Sequence, residues 1–231
     1  MLSSYQLVAF DMDDTLYPER LFVKSGYDAV SELLQKRFSR QDNFSDWMWQ
    51  RFLAGKTSGA FNAVNEQFNL GLNEKDILEL VEIYRLHLPD ISPYDDMRPL
   101  LKELRRHFLL GVVTDGPAAM QRNKFARLGL GGFFHSVVFT GDLPEGSSKP
   151  STAPFLKIAE DLKVSNPSAC VYVGDNPAKD FLGPNSLGWL TVQFHRPGQV
   201  HFHKPAPHGG LPQMTVSSAK ELFAVLTCEM E

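Results

Sequence analysis

Leu7-Val8-Ala9-Phe10-Asp11-Met12-Asp13-Asp14-Thr15 decides the fold class: four apolar residues run straight into carboxylates. An apolar run this short, without polar alternation, reads as a strand buried on both faces, which is the habit of parallel sheets. Asp11, Asp13 and Asp14 repel one another unless a cation or hydrogen bonds hold them. The exit of the strand is therefore either an acidic turn or helix cap, or a site. Carboxylates at i and i+2 can divide the work of catalysis, one attacking while the other exchanges protons. A hard divalent cation such as Mg²⁺ would suit their oxygens and lower the charge cost.

Downstream the pattern changes. From about residue 17 to 96 apolar residues recur at helical spacing: Val23, Tyr27, Val30, Leu34 and Phe38, then Phe44, Met48 and Phe52, then Phe61, Val64 and Phe68. Asn73 with Asp76 reads as a helix start, Ile77, Leu80, Tyr84 and Leu88 as its apolar face, and Pro89 as its stop. Gly55 to Gly59 supplies a turn. From residue 97 helix and strand alternate. The strands expected are Leu109–Val113, Val137–Thr140, Cys170–Val173 and Leu190–Phe194, with helices around 100–106, up to Leu128 before Gly129, 152–162, a short one opened by Asp180, and 218–226. Such alternation implies βαβ units and a mostly parallel sheet. The expected architecture is α/β: a Rossmann-like core of residues 1–16 and 97–231, with a helical domain of residues 17–96 inserted after the first strand.

Three polar residues follow directly on these strands: Asp11, Thr114 and Asp175. Ligands of open parallel sheets bind outside the carboxyl ends of the strands, so the three would converge. Thr114-Asp115-Gly116 is by itself a turn signal, but a hydroxyl beside backbone N–H groups also makes an anion-binding corner that Gly116 leaves open. Lys149 before Pro150 is by default a solvated lysine; at the same pocket its ammonium would neutralise an anion. Asp175 and Asp180 allow one carboxylate to coordinate a metal while the other orients its neighbours.

In order and spacing, Asp11-x-Asp13-x-Thr15, Thr114-Asp115-Gly116, Lys149-Pro150 and Gly174-Asp175-x-x-x-x-Asp180 together resemble the haloacid dehalogenase-like (HAD) hydrolase superfamily over essentially the whole chain. The inserted helical stretch resembles that family's first (C1) class of cap domain. The resemblance implies that Asp11 is a nucleophile forming a phospho-aspartyl intermediate, and that Asp13 is the general acid and then the base. It implies Mg²⁺ held by Asp11, the Asp13 backbone carbonyl and Asp175, with Asp180 in support. Thr114, the Asp115 backbone N–H, Gly116 and Lys149 would bind the phosphoryl group. Asp13 also separates members: true haloacid dehalogenases lack it and need no metal, so its presence points to phosphoryl chemistry. The expected function is an Mg²⁺-dependent phosphatase whose cap closes over a small phosphorylated metabolite. A sugar-phosphate phosphomutase and a non-catalytic binding or regulatory module on the same fold are the rivals. Ser151 stands where relatives commonly carry an acidic residue.

Composition sets the outer limits. Hydrophobic residues are 43% and charged residues 22% of the 231, which suits a globular chain and not a disordered one or a coiled coil. A net charge of −4 argues against a nucleic-acid binder. Residues 17–96 carry nine Lys and Arg against thirteen Asp and Glu, so the excess acid lies in the insertion and the remainder is balanced. Cys170 and Cys228 cannot form a disulfide framework, the N-terminus lacks the pattern of a signal peptide, and no apolar run is long enough to cross a membrane. A cytoplasmic protein without a membrane or nucleic-acid partner is expected. The stretch from His195 to Pro212, with His201, His203 and His208, reads as a flexible, solvated loop, and Trp47 and Trp49 as packing of the helical insertion.

Overall fold

The apolar runs become one sheet in the computed structural model of the chain, which describes residues 5–227. Cys228 and the first residues of the N-terminal segment, Met1 to Ser4, lie outside the described residues. The strands are β1 (Leu7–Phe10), β2 (Leu109–Thr114), β3 (Ser136–Phe139), β4 (Cys170–Gly174), β5 (Leu190–Phe194) and β6 (Met214–Val216). Their order is β3-β2-β1-β4-β5-β6, and every neighbouring pair runs parallel. β1, β2, β4 and β5 are buried almost throughout, which is why they read as mainly apolar runs, with Thr191 and Gln193 of β5 as buried polar exceptions. Phe10 lies level with Val112 on one side and Val173 on the other. Asp11, Thr114 and Asp175 therefore leave the sheet within about a residue of one another. The chain order reverses between β1 and β4, the switch point where open α/β sheets form their crevice.

The chain divides into two compact units. One holds the residues up to Glu19 and those from Ser92 onward; the other is Arg20–Ile91. The first carries the sheet. Its core gathers Leu7, Ala9, Val113, Phe155, Ile158, Tyr172, Phe181 and Trp189. The second is helical: α1 (Glu19–Phe38, whose first residue belongs to the other unit), α2 (Phe44–Leu53), α3 (Ala60–Phe68) and α4 (Glu74–Leu86). It buries Val30, Leu34, Phe44, Met48, Val64 and Leu80 in a core of its own, against which Trp47 and Trp49 pack half-buried. Asn43 and Asn73 cap α2 and α4, and Asn73 with Asp76 makes a reciprocal capping box.

The remaining helices of the sheet unit are α5 (Met97–Leu104), α6 (Ala118–Leu128), α7 (Ala153–Asp161), α8 (Leu182–Ser186) and α9 (Ala219–Thr227). Several sequence expectations need correction. α4 ends at Leu86, and Leu88, expected on its apolar face, is 81% exposed. Thr140 belongs to a 3₁₀ turn and not to β3. Asp180 does not open α8, which starts two residues later. β6 was not expected at all: three residues are too few for periodicity to register. Among the described residues no helix is long and apolar enough to cross a membrane.

Candidate active site

Asp11, at the exit of β1, is 3% exposed and accepts from the Lys149 ammonium at 2.5 Å. Lys149 is no solvated lysine. It is 5% exposed and also donates to Asp180 Oδ1 at 2.7 Å and to the Tyr172 hydroxyl at 2.9 Å. Burial by itself would lower its pKa, but Asp11 and Asp180 outweigh that and hold the ammonium protonated. Asp180 closes the motif locally, its Oδ2 accepting from the backbone N–H groups of Asp175 at 3.2 Å and Asn176 at 2.9 Å. Gln193 on β5 donates to the Asp175 backbone carbonyl at 3.0 Å and fixes the other side of that turn.

The Thr114-Asp115-Gly116 corner stands on the next strand. Gly116 has φ +126°, a conformation that side-chain-bearing residues rarely take. The Asp115 carboxylate accepts from Thr140 Oγ1 at 3.0 Å and from the Lys149 backbone N–H at 3.1 Å, which ties this corner to the Lys149 turn. Lys179 lies 3.4 Å from its other oxygen. A cavity of about 120 Å³ is lined by Asp11, Asp13, Glu19, Asp115, Met120, Lys124, Asp175, Lys179 and His201. The structure thus brings together Asp11, Asp13, Thr114, Asp115, Lys149, Asp175 and Asp180 from turns scattered over the chain.

Asp13 has partners the sequence did not disclose. Lys124 and Gln121 of α6 donate to its two oxygens, each at 2.8 Å, and the Tyr17 hydroxyl donates to Oδ1 as well. Burial pushes the Asp13 carboxyl up, yet the Lys124 ammonium and these hydrogen bonds prevail and hold it down at about 2. A signal existed: Gln121, Lys124 and Leu128 share one helical face, and all three are buried. Only the tertiary structure shows that this face meets the site.

The stretch from His195 to Pro212 also departs from expectation. The Val200 N–H donates to Asp14 Oδ2 at 2.7 Å and Gln199 Nε2 to the Asp14 carbonyl at 2.8 Å, so the segment is docked on the turn after β1. His195 stacks on Phe202 with ring centroids 3.8 Å apart, and His201 Nε2 lies 3.3 Å from Glu19 Oε2, both residues lining the cavity. Asp14 takes φ +54°, held there by these bonds and by the Glu19 N–H at 2.7 Å.

The acidic cluster fits a hard cation. Carboxylate oxygens of Asp11, Asp175 and Asp180 lie within 4.8 Å of one another, and Asp175 Oδ2 is buried with no hydrogen-bond partner. Burial pushes Asp175 well above the ordinary carboxylate range, with Asp180 and Asp11 adding to it. Burial likewise raises Asp11 to about 7 against the opposing pull of Lys149. Crowded carboxylates with one bare oxygen, Asp175 Oδ2, are what a Mg²⁺-sized cation satisfies.

A family model described as haloacid dehalogenase-like hydrolase matches residues 5–188. A glyceraldehyde 3-phosphate phosphatase of Methanopyrus kandleri is 30% identical over 95% of this chain and 96% of its own length. The pyrimidine 5′-nucleotidase YjjG of Escherichia coli is 27% identical over 95% of this chain and 96% of its own. Among solved structures, the HAD-hydrolase YfnB of Bacillus subtilis, bound to magnesium, has the same fold: TM-score 0.69 at 22% identity, covering 96% of this chain and 98% of that one.

Proposed function

The chain belongs to the haloacid dehalogenase-like hydrolases and is a phosphoric monoester hydrolase for a small phosphorylated substrate; we propose that it works with Mg²⁺ through a phospho-aspartyl intermediate on Asp11. The observation that carries this reading is Asp11 itself, a buried carboxylate at the switch point of the sheet with a protonated Lys149 at 2.5 Å and the bare Asp175 Oδ2 in the same cluster. A carboxylate that attacks an anionic phosphoryl group meets charge repulsion, which positive charge on the same side relieves.

Asp11 attacks phosphorus as the ester P–O bond breaks; the anionic substrate bound beside Asp13 raises that carboxyl from its low resting value, so Asp13 takes up a proton as substrate binds and gives it to the leaving oxygen. A water molecule then attacks the aspartyl phosphate and yields a proton to Asp13. The Asp11–phosphorus bond breaks, phosphate leaves, and the Asp11 carboxylate is regenerated. Thr114 Oγ1, the Asp115 N–H, the turn at Gly116 and the Lys149 ammonium hold the phosphoryl oxygens. Mg²⁺ would be held by Asp11, the Asp13 backbone carbonyl and Asp175, with Asp180 in support, and when bound supplies charge neutralisation.

The cavity of about 120 Å³ in the sheet unit is well below the several hundred cubic ångströms typical of ligand pockets. It suits a phosphoryl group and not the rest of a metabolite. We take the helical stretch, 17–96, as a cap on a core of 1–16 and 97–231, with the cap supplying the remaining selectivity. A reducing, cytoplasmic setting agrees with the use of two cysteines in 231 residues.

The test is phosphate release, with and without Mg²⁺, from glyceraldehyde 3-phosphate, pyrimidine 5′-monophosphates, sugar phosphates and p-nitrophenyl phosphate. Turnover on at least one, lost with EDTA and restored by Mg²⁺, is expected. Asp11→Asn should keep the wild-type circular dichroism and lose turnover; a folded Asp11→Asn that still turns over refutes the assignment.

A further inference from the structure

Two residues of α6 place polar chemistry where such a helix ordinarily buries hydrocarbon. Gln121 is 0% exposed and Lys124 2%. The Gln121 amide donates to Asp13 Oδ2 at 2.8 Å and to Thr114 Oγ1 at 2.6 Å, while its own Oε1 is buried without a partner. A buried carbonyl left unpaired costs stability that an apolar residue of similar shape avoids, so packing does not account for a glutamine here. Turning the amide over would set Oε1 against the Asp13 carboxylate. Its observed orientation is therefore dictated by Asp13. Lys124 Nζ reaches the other oxygen, Oδ1, at 2.8 Å. One helix thus grips both oxygens of the carboxyl and, through Gln121, fixes them relative to Thr114.

We propose that Lys124 and Gln121 are positioning residues that aim the Asp13 carboxyl at the leaving oxygen of the bound monoester. The inference rests on the role given to Asp13 above. When the ester P–O bond breaks and the Asp11 O–P bond forms, the bonding pair stays on the leaving oxygen, which takes the Asp13 proton and departs as an alcohol. A misaimed carboxyl fails at that transfer. The failure grows with the basicity of the leaving oxygen, because a poor leaving group depends most on its acid.

Lys124→Met and Gln121→Leu are assayed with Mg²⁺ on p-nitrophenyl phosphate, phenyl phosphate and glycerol 3-phosphate, whose leaving oxygens grow more basic in that order. The ratio of kcat/KM between two substrates on one preparation does not depend on the fraction folded, so a partly unfolded variant still answers. The expected loss on glycerol 3-phosphate exceeds that on p-nitrophenyl phosphate by on the order of 10- to 100-fold, up to the lower end of what a general acid contributes, because the carboxyl is misaimed and not removed. The graded loss should appear in kcat, and Lys124→Arg should recover part of it. Asp13→Asn provides the reference. If Asp13→Asn shows the graded loss and the two α6 variants lose activity equally on all three substrates, the residues are structural and the proposal fails alone. If Asp13→Asn itself loses equally on all three, the acid role of Asp13 fails and the proposal falls with it.

Discussion

A Cβ on Gly174 would lie 2.5 Å from Asp180 Oδ2 and 2.9 Å from its Cγ. The last residue of β4 must therefore be glycine for Asp180 to fold back over its own strand end, accept from the Asp175 and Asn176 N–H groups, and still reach Lys149. Gly174→Ala should cost on the order of 1–3 kcal/mol, the usual penalty for overpacking a tight site, and should push Asp180 off Lys149. Thermal melting and phosphate release check both parts: a lowered Tm together with reduced turnover is expected, and an unchanged melt would show that Asp180 can move aside freely. Removing one partner from a buried charge group strands the others, so the motif responds as a unit.

At the scale of the element, the same period of 3.6 has opposite meanings in two helices. In α4 it marks the core: Leu80 is fully buried, and the Asn73–Asp76 capping box starts the helix where the sequence suggests. Leu80→Ala should cost about 2–5 kcal/mol and Asn73→Ala about 0.5–2 kcal/mol, whereas Leu88→Ala should stay within about 0.5 kcal/mol of wild type because it lies past the helix end. Urea melts of the three variants read this ranking directly, and a Leu88→Ala loss rivalling that of Leu80→Ala would contradict it. In α6 the inward face carries Gln121 and Lys124, so the helix is legible from its Gly129 stop while the face that meets the site is not. β6 escaped for a different reason, since its three residues are defined by pairing with β5 and not by any pattern of their own.

For the molecule as a whole, the proposed Mg²⁺ site would couple folding to cation binding through the crowded carboxylates. Asp11 stands at about 7 in the folded chain against an ordinary 3.8, so folding takes up protons at this group. Without metal its contribution favours the native state at low pH and is withdrawn as the pH rises through that window. The Tm of the metal-free wild type, relative to Asp11→Asn, should therefore fall between about pH 4 and pH 7 and level off above. In the proposed site Mg²⁺ would stand in for those protons. At a hundredfold excess over its Kd it should add about 2.7 kcal/mol, a rise of several degrees in Tm at pH 8 and a smaller one at pH 5.5. Asp175→Asn should abolish most of the rise, and a full Mg²⁺ shift in that variant would place the ion elsewhere.

The α/β class, the motif order and the seven polar residues later found together were legible in the linear chain, because most strands are mainly apolar runs, Asp11, Thr114 and Asp175 stand at the ends of three of them, and Asp13, Asp115, Lys149 and Asp180 complete the motifs of the resemblance. Burial on both faces of a parallel sheet writes itself into consecutive residues. What the linear order could not hold was anything set by which elements meet across the fold. Lys149 looks solvated until its turn comes beside β1; Gln121 and Lys124 look like surface residues until α6 lies against Asp13; and the histidine-bearing segment looks loose until Asp14 takes its backbone N–H. In each case the deciding partner is distant in sequence, and the burial that makes a lysine, a glutamine or a loop backbone seek it exists only once the chain has folded. Local periodicity determined the elements, and tertiary contact alone decided the charge environment in which the aspartates work.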